Sequence, residues 1–240
     1  MHKIFFLLIF YILIIFSTFG YGLLSINLLN KNGFKHFNTG LIGIYGIFSL
    51  IFISYLSNLF FSHSLIHNST ILIIGLISYF FFIFIKKIKL DFKIIFFVFG
   101  FLFIALLVFK NHDDFHYYHF PYIINLTEYP HPIGLGNLNH GFKTHSSIFL
   151  LSSLLYLPGV DYNLFHLTPV YILIFSNFIL LKLIFNQEIR TKYIFILFLS
   201  LSSLVFINIF FYRLGEYGTD RSAMILIILL FVNLIFFINK

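Results

Sequence analysis

Ile148-Phe-Leu-Leu-Ser-Ser-Leu-Leu-Tyr-Leu157 is a ten-residue, mainly apolar run, and whether it crosses a membrane decides the architecture around it. A crossing helix needs roughly 20 apolar residues, so this run is about half a span. Seven other segments are long enough once local bilayer thinning is allowed. They lie at approximately 4–28, 40–61, 70–85, 94–109, 162–185, 193–211 and 223–238. Lys and Arg decide the matter, because they collect in cytoplasmic loops. With seven spans, one side carries Lys31, Lys35, Lys86, Lys87, Lys89, Lys93, Lys182, Arg190, Lys192 and Lys240, ten in all. The other side carries Lys3, Lys110, Lys143, Arg213 and Arg221, five in all. Counting 148–157 as a further crossing gives eight against seven, and the asymmetry vanishes. The run is therefore expected to be interfacial or re-entrant. The fold expected is an all-α polytopic transmembrane bundle of about seven spans, with interfacial helices in a large outer loop.

The composition agrees. The chain is 60% hydrophobic and 10% charged, with a mean hydropathy of +0.99, where a soluble domain carries roughly 25% charged residues. Its first apolar run is longer than a signal-peptide core and lacks an Ala-x-Ala-like cleavage site, so it reads as a retained helix. Cysteine is absent, which removes disulfides, thiolate metal sites and Cys nucleophiles together. The 38 Phe match what an AT-rich coding sequence produces and carry no functional weight. The net charge of +7 is a topology signal rather than the mark of a nucleic-acid partner. It places the N-terminus and the loops 110–161 and 212–222 outside and the C-terminus in the cytoplasm, as for a cell inner (plasma) membrane protein. Residues 1–93 form an N-terminal group of three spans, and 94–240 carry the long outer loops.

Those loops hold the chemistry. Asn111-His-Asp-Asp-Phe-His-Tyr-Tyr-His-Phe-Pro-Tyr122 follows a span directly, and six of the eleven His lie between 112 and 145. Asp113 and Asp114 are the candidate catalytic pair, since adjacent carboxylates raise one another's proton affinity and attract divalent cations. Helix capping is the competing explanation for one of them. His112, His116 and His119 at i, i+4 and i+7 share one face of a helix, as metal-binding imidazoles often do, and Pro121 is expected to end or kink that helix. Imidazoles and phenols are equally at home at a water–lipid interface. Further on, Pro130-His-Pro-Ile-Gly-Leu-Gly-Asn137 is turn-rich, with neither Gly-Lys-Ser/Thr nor a preceding strand to make it a phosphate cradle. In the second outer loop, Arg213 and Arg221 flank Glu216 and Asp220 on the face that the positive charges avoid. Their planar guanidinium forks suit phosphate or carboxylate, and pairing with the neighbouring acids is the alternative.

Residues 94–238 resemble the GT-C-type polytopic glycosyltransferases. The resemblance lies in Asp113-Asp114-Phe-His-Tyr117 at the head of a large outer loop, in Lys143-Thr-His-Ser-Ser147 before the apolar run closed by Pro158-Gly159, and in Asp220 just before a span. The chain is also similar to long multi-pass bacterial membrane proteins that carry Asp-Asp, Gly134-Leu-Gly-Asn137 and Gly218-Thr-Asp-Arg-Ser222 segments. Such enzymes continue through more helices, so the resemblance implies a piece of a longer layout. It also implies transfer of a sugar from a polyprenyl-phosphate-type lipid donor to a hydroxyl acceptor on the outer face, with membrane lipid and the lipid-linked donor as partners. Asp113 and Asp114 would then be catalytic, and Tyr117, His116, Lys143, Arg213, Asp220 and Arg221 would bind substrate. A Mg²⁺ or Mn²⁺ ion on Asp114, Asp220 and His116 belongs to the same reading. The alternatives are a transporter, disfavoured because the spans hold no Asp, Glu or Arg, and a non-catalytic membrane assembly subunit. No oligomeric state follows from the sequence.

Overall fold

The computed structural model describes residues 2–29, 38–93, 96, 99, 100, 103, 113–131, 133–143, 146–209 and 219–239. Every named element among them is helical, as a chain in lipid requires, because a helix satisfies its backbone groups internally. The helices are α1 (His2–Leu29), α2 (Thr39–Asn58), α3 (Leu65–Phe80), α4 (Phe120–Glu128), α5 (Ser147–Ser153), α6 (Leu167–Phe185), α7 (Gln187–Lys192), α8 (Ile194–Ile209) and α9 (Thr219–Asn239). A π-helical turn, Phe81–Ile85, extends α3, and a second, Phe115–His119, precedes α4. Among the described residues, five helices are long and apolar enough to cross a membrane: 4–29, 39–58, 65–85, 162–185 and 221–239. α8 is apolar but only 16 residues long, and most of the segment expected at 94–109 lies outside the described residues.

α1 packs against both α2 and α3, and α6 is enclosed by α2, α8 and α9. Glycine permits the first contacts. A Cβ on Gly20 would fall on the Gly75 carbonyl, and one on Gly46 on the Thr18 carbonyl, so the three backbones meet without intervening side chains. α6 is buried at sixteen of its nineteen residues, which explains its lack of a polar face. Its Asn177 exchanges amide hydrogen bonds of 3.0 and 2.6 Å with Asn208 of α8.

The half-span does not cross. α5 has seven helical residues, about 10 Å at 1.5 Å each. The chain then turns through a Leu157–Asp161 bridge, with Gly159 and Asp161 at positive φ. Phe149, Leu150, Leu151, Ser152 and Ser153 are all buried in the protein, so the helix is covered by its neighbours rather than lying on their surface. Ser152 bonds the Thr168 hydroxyl at 2.9 Å and Ser153 bonds His63, so the two hydroxyls that interrupt the apolar run are satisfied inside the bundle.

Contacts sort the loops into two ends. At one end, Lys182 pairs with Asp91 at 2.6 Å, and the Asp91 N–H donates to Thr39 Oγ1. At the other, the His63 N–H donates to the Leu126 carbonyl and the His131 N–H to the Asn58 carbonyl. Ile4 and Leu7 of α1 meet Tyr162 and Asn163 at this second end. Among the described residues, the start of α1 thus lies with the 59–64 and 113–163 segments, and Asp91 with Lys182 at the opposite end.

Candidate functional site

Asp113 and Asp114 are helical and lead directly into the π-turn and then α4, and Pro121 neither ends nor interrupts that run. Proline cannot donate a backbone hydrogen bond, and an α-helix would need one from position 121 to the Tyr117 carbonyl. The chain instead closes a wider turn, with the Phe120 N–H on the Phe115 carbonyl, and Pro121 falls in the first turn of α4, where no N–H is required. Asn139 Nδ2 donates to the Tyr117 carbonyl at 3.4 Å.

The wider turn also separates imidazoles expected on one face. His116 is exposed, whereas His119 is buried, with its ring 5.1 Å from Phe149 and 4.3 Å from Tyr118. His112 lies outside the described residues. A shared three-histidine face is therefore not formed by His116 and His119.

His116 lines an open cavity of about 420 Å³. Its walls come from the π-turn (Phe115, His116, Phe120), from the segment before α6 (Tyr162, Asn163, His166) and from Ile4 and Leu7 of α1. Phe115 stands between the two histidines, its ring centroid 5.2 Å from His116 and 5.0 Å from His166. Tyr162 meets Phe120 edge-on at 5.0 Å. Aromatic faces with imidazole and amide groups suit a ligand that is part apolar and part hydrogen-bonding. Farther along α1, Leu8, Tyr11, Ile12 and Phe16 form one wall of an apolar groove of about 200 Å³, opposite Phe96 and Phe103. The polar-headed cavity and the apolar groove thus follow one another on a single helix.

The other residues expected at the site are placed unequally. Asp113 is exposed and Asp114 half-buried just before the π-turn, and Tyr117 is exposed. Lys143 ends a 3-10 turn, His140–Lys143, that packs on the π-turn. Arg221 is half-buried in the first turn of α9. Arg213 and the side chain of Asp220 lie outside the described residues. Among the described residues, no three His, Asp or Glu side chains gather as metal ligands. The described part of the Asp114, Asp220 and His116 set does not by itself make a metal site.

A second polar assembly went unread in the sequence because it sits in an uncharged loop. His63 is fully buried, stacked on His67 at 5.0 Å, with Nδ1 2.6 Å from Ser153 Oγ and Nε2 3.2 Å from Ser57 Oγ. Burial, reinforced by the neighbouring His67, lowers its pKa to about 3 and keeps the ring neutral. Asn68, formally a glycosylation acceptor, is buried and donates to the His63, Ser153 and Tyr156 carbonyls at 2.8, 2.8 and 2.9 Å. This knot ties α2, α3 and α5 together beneath the long loop. The signal was the density of short polar residues at 57–70.

Residues 4–240 match a family described as a domain of unknown function (DUF8201). No curated protein and no solved structure matches the chain significantly.

Proposed function

We propose, for a chain that belongs to the DUF8201 family, the role of a membrane-embedded transferase of GT-C type, acting on a donor whose phosphate is carried by a lipid. The observation that carries this reading is the succession along α1 of an aromatic cavity with imidazole and amide groups, formed by the π-turn that follows Asp113–Asp114, and an apolar groove. A lipid-linked substrate needs both, a watery pocket for the reacting head and an apolar channel for the chain. The reading takes seven spans, with the N-terminus and the cavity end on the outer face of the plasma membrane.

In the reaction, the acceptor hydroxyl attacks the anomeric carbon. The new C–O bond forms as the bond from that carbon to the donor phosphate breaks, and the hydroxyl proton passes to Asp113 or Asp114. Negative charge grows on the leaving phosphate, where Lys143, Arg213 or Arg221 stabilises it more strongly than in bulk water. His116 and Tyr117 orient the head group, and Asp220 assists from the second outer loop. No step is assigned to a metal ion.

Exchanging Asp113 and Asp114 for Asn, singly and together, in membranes holding the full-length protein tests this directly. Transfer from a polyprenyl-phosphate sugar to a hydroxyl acceptor should fall at least a hundredfold in one variant, within the range removed with a general base. Unchanged transfer in all three variants would overturn the assignment. A transporter would instead keep substrate flux across the bilayer with no product formed.

A further inference from the structure

The loop after α4 exposes two of its three large aliphatic side chains. Ile133 is 97% and Leu138 is 81% solvent-accessible, although the loop is well fastened. The Asn137 and Leu138 N–H groups close turns on the Gly134 and Leu135 carbonyls, both at 2.9 Å. Asn139 reaches back to Tyr117, and Phe142 packs edge-on against Tyr122 at 5.7 Å. Gly134, at φ 90, adopts the backbone needed to turn Leu135 toward the core and leave Ile133 outward. No acidic residue occurs from 129 to 143, and Lys143 is the one side chain there with a permanent charge.

The position of this loop relative to the bilayer is bounded. α2 has 20 residues, about 30 Å and one hydrocarbon thickness, so Asn58 marks an edge of the apolar layer. The His131 N–H sits 2.7 Å from the Asn58 carbonyl. Two further residues carry the chain at most about 7 Å, while the headgroup layer on each side is about 5–7 Å deep. Ile133 therefore stays at the level of the headgroups. Leu59, Phe60 and Phe61, exposed immediately after α2, lie at the same level. Asn58 joins the two segments, its Nδ2 donating to the Phe61 and Leu126 carbonyls.

We infer that the loop 129–143 is an interfacial membrane anchor, with Ile133 and Leu138 seated in the leaflet at this end of the bundle as a continuation of the Leu59–Phe61 belt. The occupant is phospholipid. The loop is tied to the end of α2 through the His131–Asn58 bond and carries no acid between 129 and 143, and Lys143 is exposed at its end. Seated there, the loop holds the π-turn, against which its 3-10 turn packs, at headgroup height. The cavity mouth then opens where a lipid-borne molecule travels. The inference does not depend on the transferase reading.

The chain contains no Trp, so one introduced Trp is a sole reporter. Ile133→Trp and Leu138→Trp, each in the otherwise intact chain, are reconstituted into phosphatidylcholine–phosphatidylglycerol vesicles with bromine on the acyl carbons nearest the headgroup. Phe237→Trp, exposed near the end of α9 and so at the depth of the bromines, serves as the lipid-facing standard. Both loop variants should emit to the blue of water-exposed Trp and be quenched at least half as strongly as the standard. Water-like emission without quenching would overturn the anchor. Blue emission without quenching would replace lipid with a covering protein or a second copy, and would overturn it equally.

Discussion

His63 Nδ1 lies 2.6 Å from Ser153 Oγ, joining the short loop between α2 and α3 to α5. Ser153 also donates to the Leu150 carbonyl at 2.8 Å. Its single proton is therefore used, and its oxygen accepts from His63 Nδ1–H. Nε2 lies 3.2 Å from Ser57 Oγ. Burial disfavours a charged ring here more than the Ser54 backbone hydrogen bond favours one, so the joint is formed by an uncharged His63.

Stability should consequently fall with acid. The unfolded chain takes up a proton on His63 below about pH 6.5, whereas the folded chain resists it down to about 3. Between those values the unfolded state binds more protons, and folding weakens as pH falls, by at most about 1.4 kcal/mol per pH unit. His63→Asn retains an amide donor for Ser153 but cannot titrate. Its detergent-solubilised melting temperature should lie below the wild type at pH 7.5, and the gap should narrow at pH 5. Parallel curves would refute the assignment.

Helix approach through glycine gives a contrast within one chain. A methyl at Gly20 collides with the Gly75 backbone carbonyl, which cannot swing aside as a side chain would. Gly100 has open space where its Cβ would stand. Gly20→Ala should cost about 1–3 kcal/mol, the range for forced overpacking. Gly100→Ala should be neutral or stabilise by up to about 1 kcal/mol through helix propensity. Thermal unfolding of the two variants in one detergent decides the matter, and equal effects would contradict the close α1–α3 contact.

Asn177 and Asn208 each give and receive one amide bond between α6 and α8. Removing Asn208 leaves the Asn177 amide unsatisfied, and removing Asn177 leaves Asn208 with only its bond to the Leu204 carbonyl, whereas removing both leaves an apolar contact. A double-mutant cycle with Leu at each site should return a coupling of about 0.6 kcal/mol, with about 1.7 as the upper bound for such pairs. Strict additivity would mean that the two side chains do not interact in the bilayer.

Periodicity and charge made α1, α2 and α6 legible, because each is a long apolar run whose ends coincide with polar residues. The failure of 148–157 to cross was legible too, since one extra crossing would scatter the basic residues. Two features were not. The start of α3 was hidden because Ser64, His67, Asn68 and Ser69 have the composition of a loop, and what makes them helical is tertiary: the Ser64 cap on the His67 N–H and the three carbonyls held by Asn68. The partition of His116 from His119 was hidden because an i, i+3 spacing presumes α-helical pitch, and Pro121 alters that pitch one turn before its own position.

The two-ended arrangement has a direct chemical test, since the chain has no native Cys. Asn137→Cys belongs to the loop end of the bundle and Lys89→Cys to the end where Asp91 meets Lys182. In sealed vesicles of uniform orientation, an impermeant maleimide should label one of them from outside and the other only after permeabilisation. Labelling of both from the same side would break the topology. If the outer-face assignment holds, Asn137→Cys is the one modified in intact cells.

The groove beside α1 yields the prediction that most directly joins structure to function. Ile12 lines it, close to the Tyr11 and Phe16 rings and opposite Phe103. Ile12→Trp should fill the groove without touching Asp113, Asp114 or the cavity. A short-chain lipid phosphate that ends before this point should be used as well as by the wild type. A long-chain donor loses the burial of roughly two methylenes, about 1.6 kcal/mol, and its KM should rise more than tenfold. Loss of activity toward both donors would mean that the substitution disturbed the fold or the head-group site. An unchanged KM for the long donor would show that the chain takes another path, and the link between groove and cavity would fall with it.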